Sequence, residues 1–371
     1  MVKYIGVQFV KKSDLETRMD TRLVKINVDN IDDKDLDNLK EAARLLRSGE
    51  LVAFPTETVY GLGGDALRED AAKKIYAAKG RPSDNPLIVH VSDIEQVERI
   101  AKDIPDNARI LMEKFWPGPL TIVFNKKECV PHGTTGGLDT VAVRMPNHNV
   151  ARELIRTSGV LLAAPSANLS GRPSPTCAEH VYEDMQGRIP MIIDGGQVGI
   201  GLESTIVDVT DRNAMILRPG FITREMLQDA IGDVDVDKAI LEPAGKDYKP
   251  KAPGMKYRHY APKAELTLFD GDIQRVVEHI NELVRDCEQK GMKVGVIASD
   301  ETVNQYICKN TLSIGTREDE TTIAHNLYYI LRQFDEMNVD VIFGECFSDE
   351  RLGNAIMNRL KKAAGYKVTK V

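Results

Sequence analysis

The chain has 371 residues, of which 42% are hydrophobic and 28% charged, and its formal net charge at pH 7 is −7. At about 150 residues per domain this length predicts two or three domains, and the composition excludes a mainly disordered, collagen-like or low-complexity chain. The negative net charge gives no support to non-specific binding of nucleic acid or membrane. No apolar run reaches the roughly 18–20 residues that a bilayer-spanning helix needs.

The cysteines and the N-terminal residues indicate a cellular compartment. Five scattered cysteines form no Cys-x-x-Cys pair, and charges interrupt the first residues too early for the apolar core of a signal peptide. A disulfide framework and a thiolate zinc site are therefore not expected, and seven histidines without ligand spacing predict no metal site. These features predict a cytoplasmic protein with no membrane attachment.

Helices and strands alternate through the first two thirds of the chain. Apolar residues at helical spacing predict a helix over 33–48, after a strand at 23–28. The same criteria predict further helices at 70–78, 93–115 (interrupted near Pro105), 149–158, 176–187 and 223–231. Apolar runs predict strands at 51–56, 86–91, 119–124, 140–146, 160–166, 191–196, 204–209 and 214–220. Such interleaving predicts an α/β domain on a twisted sheet of mixed strand direction.

Residues 233–262 interrupt this rhythm. They hold four prolines and show neither helical nor strand periodicity, which predicts a linker or a functional lid. Strands at 264–270, 293–299, 311–315, 339–345 and 366–371 then alternate with helices at 272–289, 318–337 and 350–363. This pattern predicts a smaller doubly wound α/β domain without a dinucleotide fingerprint. We therefore divide the chain into 1–232, 233–262 and 263–371.

Two segments near the first strands carry polar residues in unusual places. Phe54–Gly64 runs from an apolar strand into two threonines, an acid and a glycine-rich bend, although a strand followed by a plain turn is the simpler interpretation. Lys79 and Arg81 precede a loop bracketed by prolines, and such cations can bind phosphate oxygens. A solvated helix end is the alternative for both cations. His90 lies on an apolar strand, where a core histidine is the alternative to a catalytic one.

Further polar residues follow at other strand ends. Arg144 interrupts an apolar strand and needs an anionic partner, while Ser166 and Asn168 would face the same side of an extended segment. Arg218 adds a fourth cation at a strand end, which predicts a site for a polyanion. No histidine paired with Cys177 is evident, so we interpret this cysteine as structural and expect no covalent catalysis.

Seven segments in fixed order now indicate a family: PTETVYGLG, KGRPSDNPLIVHV, FWPGPLTIV, TVAVRMP, APSANLSGRPSPT, STIVD and LRPG. Over residues 35–230 they resemble the YrdC-type threonylcarbamoyl-AMP synthases. The tail PGMKYRHYAP and the small α/β domain after it resemble the long two-domain Sua branch of that family. The resemblance implies a YrdC-like twisted mixed-sheet catalytic domain followed by a smaller Rossmann-like doubly wound α/β domain.

The resemblance also implies a reaction. L-Threonine, bicarbonate or CO2, and ATP would give L-threonylcarbamoyladenylate and pyrophosphate, the first step of the tRNA N6-threonylcarbamoyladenosine modification. Mg²⁺ would accompany ATP, and a downstream tRNA threonylcarbamoyl transferase would be the partner; a transient contact with tRNA itself stays open. Because the carbamate of threonine attacks the α-phosphorus, positioning and charge stabilisation suffice without an enzyme nucleophile.

The resemblance assigns residues to each part of the site. A catalytic set would face the α-phosphate and the carbamate: Lys79, Arg81, Ser166 and Asn168. Threonine would be held by Thr58, His90, Arg144, Ala164 (through its backbone) and Ser204. ATP would be held by Arg81, Asn85, Thr140, Ser166, Ser174, Arg218 and the linker residue Tyr257.

Two other classes compete with this interpretation. A double-stranded RNA or tRNA-binding module without turnover would show salt-sensitive RNA affinity and no ATP consumption. A carbamoyl transferase of the hydrogenase-maturation type would require zinc-finger cysteine pairs, which this sequence does not contain. The synthase is the interpretation that explains all seven segments.

Overall fold

The structure is a computed structural model that describes residues 19–241, 250–253 and 259–371. Its helices are α1 (Asp33–Arg47), α2 (Glu69–Lys79), α3 (Asp106–Phe115), α4 (His132–Thr135), α5 (Asn149–Ser158), α6 (Ala178–Met185), α7 (Arg224–Ile231), α8 (Lys238–Leu241), α9 (Ile273–Gln289), α10 (Glu320–Met337) and α11 (Arg351–Ala363). Its strands are β1 (Arg22–Lys25), β2 (Val52–Phe54), β3 (Gly61–Asp65), β4 (Ile88–His90), β5 (Leu120–Asn125), β6 (Thr140–Arg144), β7 (Leu162–Ala163), β8 (Met191–Asp194), β9 (Thr205–Asp208), β10 (Ala214–Arg218), β11 (Val234–Val236), β12 (Glu265–Asp270), β13 (Val294–Ala298), β14 (Thr311–Ser313), β15 (Val341–Glu345) and β16 (Val368–Lys370). Short 3₁₀ turns occupy Ile94–Arg99 and Val303–Gln305.

The first part of the chain builds one large mixed sheet. Within the described residues its strand order is β1-β8-β2-β3-β7-β4-β6-β5-β9-β10-β11. The sheet contains parallel pairs, such as β4 with β6, and antiparallel pairs, such as β5 with β6. The expected α/β domain on a mixed sheet is thereby confirmed.

The last third of the chain builds a smaller sheet that is parallel throughout. Its order is β14-β13-β15-β12-β16, and α9, α10 and α11 connect successive strands. Parallel strands need such helical crossovers, so the doubly wound arrangement follows from the alternation in the sequence. The expected smaller second α/β domain is confirmed as well.

Local sequence explains the first helix. Asp32 caps α1 by accepting from the backbone N–H of Asp35, whose own side chain returns to the N–H of Asp32 in a capping box. Leu39 and Leu46 are fully buried on its inner face. Capping and the apolar stripe therefore act together to fix this helix on the sheet.

The structure corrects two expectations about secondary structure. The glycine-rich bend after Thr58 is in fact strand β3, where a Cβ at Gly63 would lie 2.8 Å from the ring of Phe54. Glycine is thus required because β2 and its aromatic ring lie close by, and not because the chain turns there. Residues 233–262 were expected to lack regular structure, yet β11 pairs in parallel with β10 and α8 follows it.

Hydrophobic packing joins the two sheets. Val59 and Leu202 from the first part of the chain belong to the same buried cluster as Leu327, Tyr328 and Ile356 from the second. The two domains therefore share a core where α10 and α11 pack against the segments that follow β2 and β8. None of the helices in the described ranges has the length and apolarity needed to cross a membrane.

Candidate active site

A cavity opens where several strands of the large sheet end. Described residues from both the strand ends and the segment after β11 line it: Thr56, Thr58, Val59, Tyr60, Gly61, Arg81, Ile88, His90, Arg144, Ala164, Pro165, Ser166, Asn168, Glu203, Ser204, Arg218, Pro253, His259 and Tyr260. Most of the residues predicted from the sequence thus meet in one place. Three arginines and one glutamate, among the residues described there, give the cavity a cationic lining.

Arg144 organises one end of the cavity. It is the last residue of β6, and the parallel register places it beside His90 at the end of β4. Its Nη1 donates to the hydroxyl of Thr58 at 2.8 Å, and its Nη2 lies 2.7 Å from a carboxylate oxygen of Glu57. A buried guanidinium needs an anionic partner, and Glu57 supplies that partner within the chain.

His90 is held as a neutral ring in the same end of the cavity. Burial, followed by the nearby charge of Arg144, lowers the pKa of His90 to about 3. The ring Nδ1 donates to the carbonyl of Ile88 at 3.2 Å, so Nε2 is the acceptor of the neutral imidazole. The ring of Phe54 meets it edge-on at a centroid distance of 6.1 Å.

Lys79, the last residue of α2, contacts the loop that carries Ser166 and Asn168. Its Nζ donates to the backbone carbonyls of both residues, and the hydroxyl of Ser166 donates to Asn168 Oδ1 at 2.5 Å. Burial and the neighbouring charge of Arg81 lower the pKa of Lys79 well below its usual value. Lys79 itself is not among the lining residues, so its contacts fix the backbone behind the cavity wall.

Arg81 and Asn85, just before and in the loop bracketed by Pro82 and Pro86, have polar atoms without partners among the described residues. Arg81 Nη2 donates to the carbonyl of Pro86 at 3.0 Å, whereas Arg81 Nε and Asn85 Oδ1 are buried without a hydrogen bond to any described residue. A buried polar atom without a partner costs free energy, so these two atoms are candidates for contact with a ligand. Burial is also the main reason why the pKa of Arg81 falls to about 10.

Ser204 and Arg218 form a further part of the cavity wall. Arg218 Nε donates to the Ser204 carbonyl at 3.1 Å, and its Nη2 lies 3.2 Å from the Ser204 hydroxyl. That hydroxyl also bonds Thr121 of β5 at 2.7 Å. Glu203, immediately before Ser204, accepts from the hydroxyl of Ser174 at 2.6 Å. This part of the cavity therefore combines a cation, three hydroxyls and one acid.

Four of the predicted site residues are described but do not line the cavity. Lys79 and Ser174 lie behind lining residues through the contacts given above, and Asn85 lies four residues after the lining residue Arg81. Thr140 starts β6, four residues from Arg144, which is about 13 Å along a strand. Tyr257 lies outside the described residues.

The sequence interpretation missed acidic and distant partners of the site. Glu57 and Glu203 are next to residues that the sequence analysis selected. The available signal was the presence of an acid in a segment that is otherwise apolar or rich in hydroxyl side chains. Tyr328 and Arg359 reach Glu203 from positions 125 and 156 residues away. No local pattern reports a contact at that separation.

The matches to known protein families divide the chain in nearly the same way as the two sheets do. Residues 44–220 match the family profile Sua5_yciO_yrdC, described as "Telomere recombination". Residues 222–365 match the profile described as "Threonylcarbamoyl-AMP synthase, C-terminal domain". Fold and site therefore define an α/β protein of the Sua5–YciO–YrdC class that carries the additional C-terminal domain.

Individual relatives narrow this class to a family. The threonylcarbamoyl-AMP synthase of Pyrococcus abyssi is 50% identical over 90% of this chain and 96% of its own length. That of Bacillus subtilis is 50% identical over 89% of this chain and 94% of its own length. The crystal structure of P. abyssi Sua5 complexed with L-threonine superposes with a TM-score of 0.88 at 46% identity, covering 94% of this chain and 99% of that one. The chain belongs to the threonylcarbamoyl-AMP synthase family, a family of enzymes.

Proposed function

We propose that this chain makes L-threonylcarbamoyladenylate and pyrophosphate from L-threonine, ATP and CO2 derived from bicarbonate. The threonine amine adds to CO2 and loses a proton, and a carbamate oxygen then attacks the α-phosphorus of ATP. A new P–O bond forms as the bond between the α-phosphorus and the bridging oxygen breaks, and pyrophosphate leaves with that oxygen. The observation that carries the proposal is one cationic cavity that unites residues of both predicted substrate sites.

Threonine fits the end of the cavity around Arg144. The guanidinium, held in place by Glu57 and Thr58, is the partner for the substrate carboxylate. The neutral His90 ring offers an acceptor for the threonine hydroxyl. The backbone of Ala164 and the hydroxyl of Ser204 complete the set that lines this part of the wall. The P. abyssi protein, which is 46% identical to this chain and has a crystal structure complexed with L-threonine, supports threonine as the substrate of this chain.

ATP fits the remaining wall. Arg81, Ser166 and Arg218 line the cavity, and Asn168 sits beside Ser166 where the α-phosphate would meet the carbamate. The orphan atoms of Arg81 and Asn85 are available to a nucleotide. Ser174 stands behind Glu203, while Lys79 supports the Ser166 loop from below. Thr140 and Tyr257 stay predicted ATP contacts that the described cavity does not include.

Mg²⁺ would enter with the nucleotide. Glu203 is the one acidic residue among the described lining residues, and its oxygens already accept from Ser174, Tyr328 and Arg359. Within the described ranges no three His, Cys, Asp or Glu side chains are grouped to hold a metal ion. Mg²⁺ would be held mainly through phosphate oxygens and water, and it would neutralise charge on the leaving pyrophosphate.

The proposal also assigns a role to each part of the chain and a partner to the product. We assign catalysis to residues 1–232, a linker or lid to 233–262, whose start docks on the large sheet through β11, and the second α/β domain to 263–371. The adenylate is a reactive mixed anhydride. We therefore propose that a downstream tRNA threonylcarbamoyl transferase uses it in the cytoplasm, with or without a transient contact between this chain and tRNA.

Pyrophosphate release tests the proposed activity. Purified protein with MgATP and bicarbonate should release pyrophosphate only when L-threonine is added, and D-threonine is the matched control because it has the same composition with the wrong configuration. Release that is independent of threonine, or salt-sensitive RNA binding in the absence of any turnover, would contradict the proposal.

A further inference from the structure

The second α/β domain places charged and polar side chains into the domain interface. Arg332 and Arg359, on α10 and α11, are the largest fully buried side chains of the described residues, and Tyr328 is also fully buried. The chemistry proposed above uses none of the three. Burying an arginine requires strong compensation, so their partners indicate what they stabilise.

Glu203 is the residue on which two of these side chains converge. Its carboxylate accepts from the hydroxyl of Tyr328 at 2.8 Å and from Arg359 Nε at 3.1 Å, besides the hydroxyl of Ser174. Burial alone would raise the pKa of Glu203, but the charges of Arg359 and Arg218 and these hydrogen bonds lower it to about 2. Glu203 is therefore an anion, fixed from three directions, in the wall of the cavity.

Arg359 also contacts the residue that follows β10, the strand that ends at Arg218. Its Nη1 donates to the carbonyl of Pro219 at 2.8 Å, so one guanidinium bridges Glu203 and Pro219. Glu203 immediately precedes Ser204, and Pro219 immediately follows Arg218. Because Arg218 bonds the backbone and hydroxyl of Ser204, a single side chain of the second domain clamps both flanks of this contact.

Aromatic contacts connect Tyr328 and Arg359 to Tyr260, which lies in the segment after β11. The ring of Tyr328 lies 5.1 Å from the ring of Tyr260, centroid to centroid, and the guanidinium of Arg359 lies 5.9 Å from the same Tyr260 ring. Tyr260 lines the cavity. Three cavity elements, which carry Glu203, Arg218 and Tyr260, therefore depend on side chains of the second domain.

We propose that Glu203 is a positioning residue for ATP and that Tyr328 and Arg359 of the second domain hold it in place. The second domain thereby forms the outer layer of the nucleotide-binding wall around Ser174 and Arg218. This inference rests on the proposed function, because it requires ATP beside Ser174 and Arg218. A purely structural role of the same contacts would join the domains without affecting nucleotide affinity.

Two conservative variants separate these roles. Tyr328→Phe keeps the ring beside Tyr260 and removes the hydroxyl that donates to Glu203. Arg359→Lys keeps the positive charge and removes the fork that bridges Glu203 and Pro219. His325→Ala is the matched control, because His325 lies on α10 as well and contacts Gly199 across the interface, at an exposed position.

Binding of the ATP analogue AMP-PNP and of L-threonine decides the question. Both are measured by calorimetry on the full chain without bicarbonate, so that no carbamate forms to attack the α-phosphorus of the analogue. We expect each conservative variant to raise the Kd for AMP-PNP by about three- to tenfold, the loss of one buried hydrogen bond. The Kd for threonine should stay within about twofold, since Thr121 still holds the Ser204 hydroxyl. In turnover, the KM for ATP should rise more than kcat falls, and His325→Ala should change neither affinity.

Three outcomes would overturn the inference. The first is an unchanged Kd for AMP-PNP in both variants together with a lower melting temperature, which marks a structural role alone. The second is an equal loss of AMP-PNP and threonine affinity, which marks general damage to the cavity. The third is a wild-type chain that binds no AMP-PNP; this result would also overturn the proposed function, so the two failures are distinguishable.

Discussion

At the scale of single residues, Arg144 has two partners before any substrate arrives. Replacing it by alanine removes the proposed carboxylate contact and leaves Glu57 buried without its cation. We expect Arg144→Ala to weaken threonine binding by about 2–5 kcal/mol, as for a desolvated charge pair. Calorimetric titration with threonine checks this, and AMP-PNP binding by the same variant reports whether the rest of the cavity is intact. Unchanged threonine affinity would remove Arg144 from the site.

Selection of threonine over valine is a second test of single residues. Valine matches the shape of threonine but lacks the hydroxyl, so it would leave the acceptor of the buried His90 ring without a donor. We expect turnover with valine to be about 10- to 100-fold less efficient, the cost of one unsatisfied buried group. Comparable kcat/KM values for the two amino acids would refute a hydrogen bond to the substrate hydroxyl.

The predictability of the site also differs from residue to residue. Arg144 and Arg218 could be found from the sequence because a cation in an apolar strand is conspicuous. Glu57 and Glu203 were not selected, since an acid beside threonine and serine residues has many ordinary explanations. Their importance comes from partners that are distant in the chain, such as Arg144 for Glu57 and Arg359 for Glu203.

At the scale of elements, the segment that follows β11 forms part of the cavity wall through Pro253, His259 and Tyr260. If bound substrates hold this segment in place, they should protect it from proteolysis. We expect limited trypsin digestion to cut within 249–256 in the absence of ligand and much more slowly with AMP-PNP and threonine. Equal cleavage rates with and without ligands would argue that the segment is a passive tether.

Elements with strong local signals were predictable, and short or glycine-rich ones were not. The apolar spacing locates α1 almost to the residue, since 33–48 was predicted and Asp33–Arg47 is found, and 149–158 was predicted with the bounds of α5. In contrast, β3 was interpreted as a bend because glycine usually marks turns. β11 has only three residues, and its pairing with β10 decides its conformation more than its own side chains do.

At the scale of the whole molecule, buried neutral histidines make stability depend on pH. Burial, before any other cause, lowers the pKa of His90 to about 3 and that of His180 to about 4, below the ordinary value of 6.5. Between pH 6.5 and 4 the unfolded chain therefore binds protons that the folded chain does not, so the free energy of unfolding falls as the pH falls.

Urea unfolding at pH 7 and pH 5 measures this effect. We expect each of the two histidines to lower the free energy of unfolding by up to about 2 kcal/mol over that interval. His180→Asn, at a position outside the cavity lining, should reduce the difference between the two pH values. A free energy of unfolding that is the same at pH 7 and pH 5 would contradict the assignment of neutral buried rings.

The whole-molecule arrangement was the least predictable level. The alternation of helices and strands indicated two α/β domains, yet the strand order of the large sheet joins segments far apart in sequence, such as β1 with β8 and β5 with β9. Such pairings depend on which apolar faces fit together, and a single sequence does not state them. The contacts of α10 and α11 with the cavity wall belong to the same long-range level.

The central claim is the formation of a threonylcarbamoyl adenylate, and mass spectrometry of the nucleotide products tests it most directly. The chain is incubated with MgATP, L-threonine and ¹³C-bicarbonate. The account predicts an adenylate that contains both threonine and one ¹³C atom, formed with an equal amount of pyrophosphate and absent when threonine is omitted. Conversion of ATP without any ¹³C-labelled adenylate, or an adenylate of threonine that lacks the labelled carbon, would contradict it.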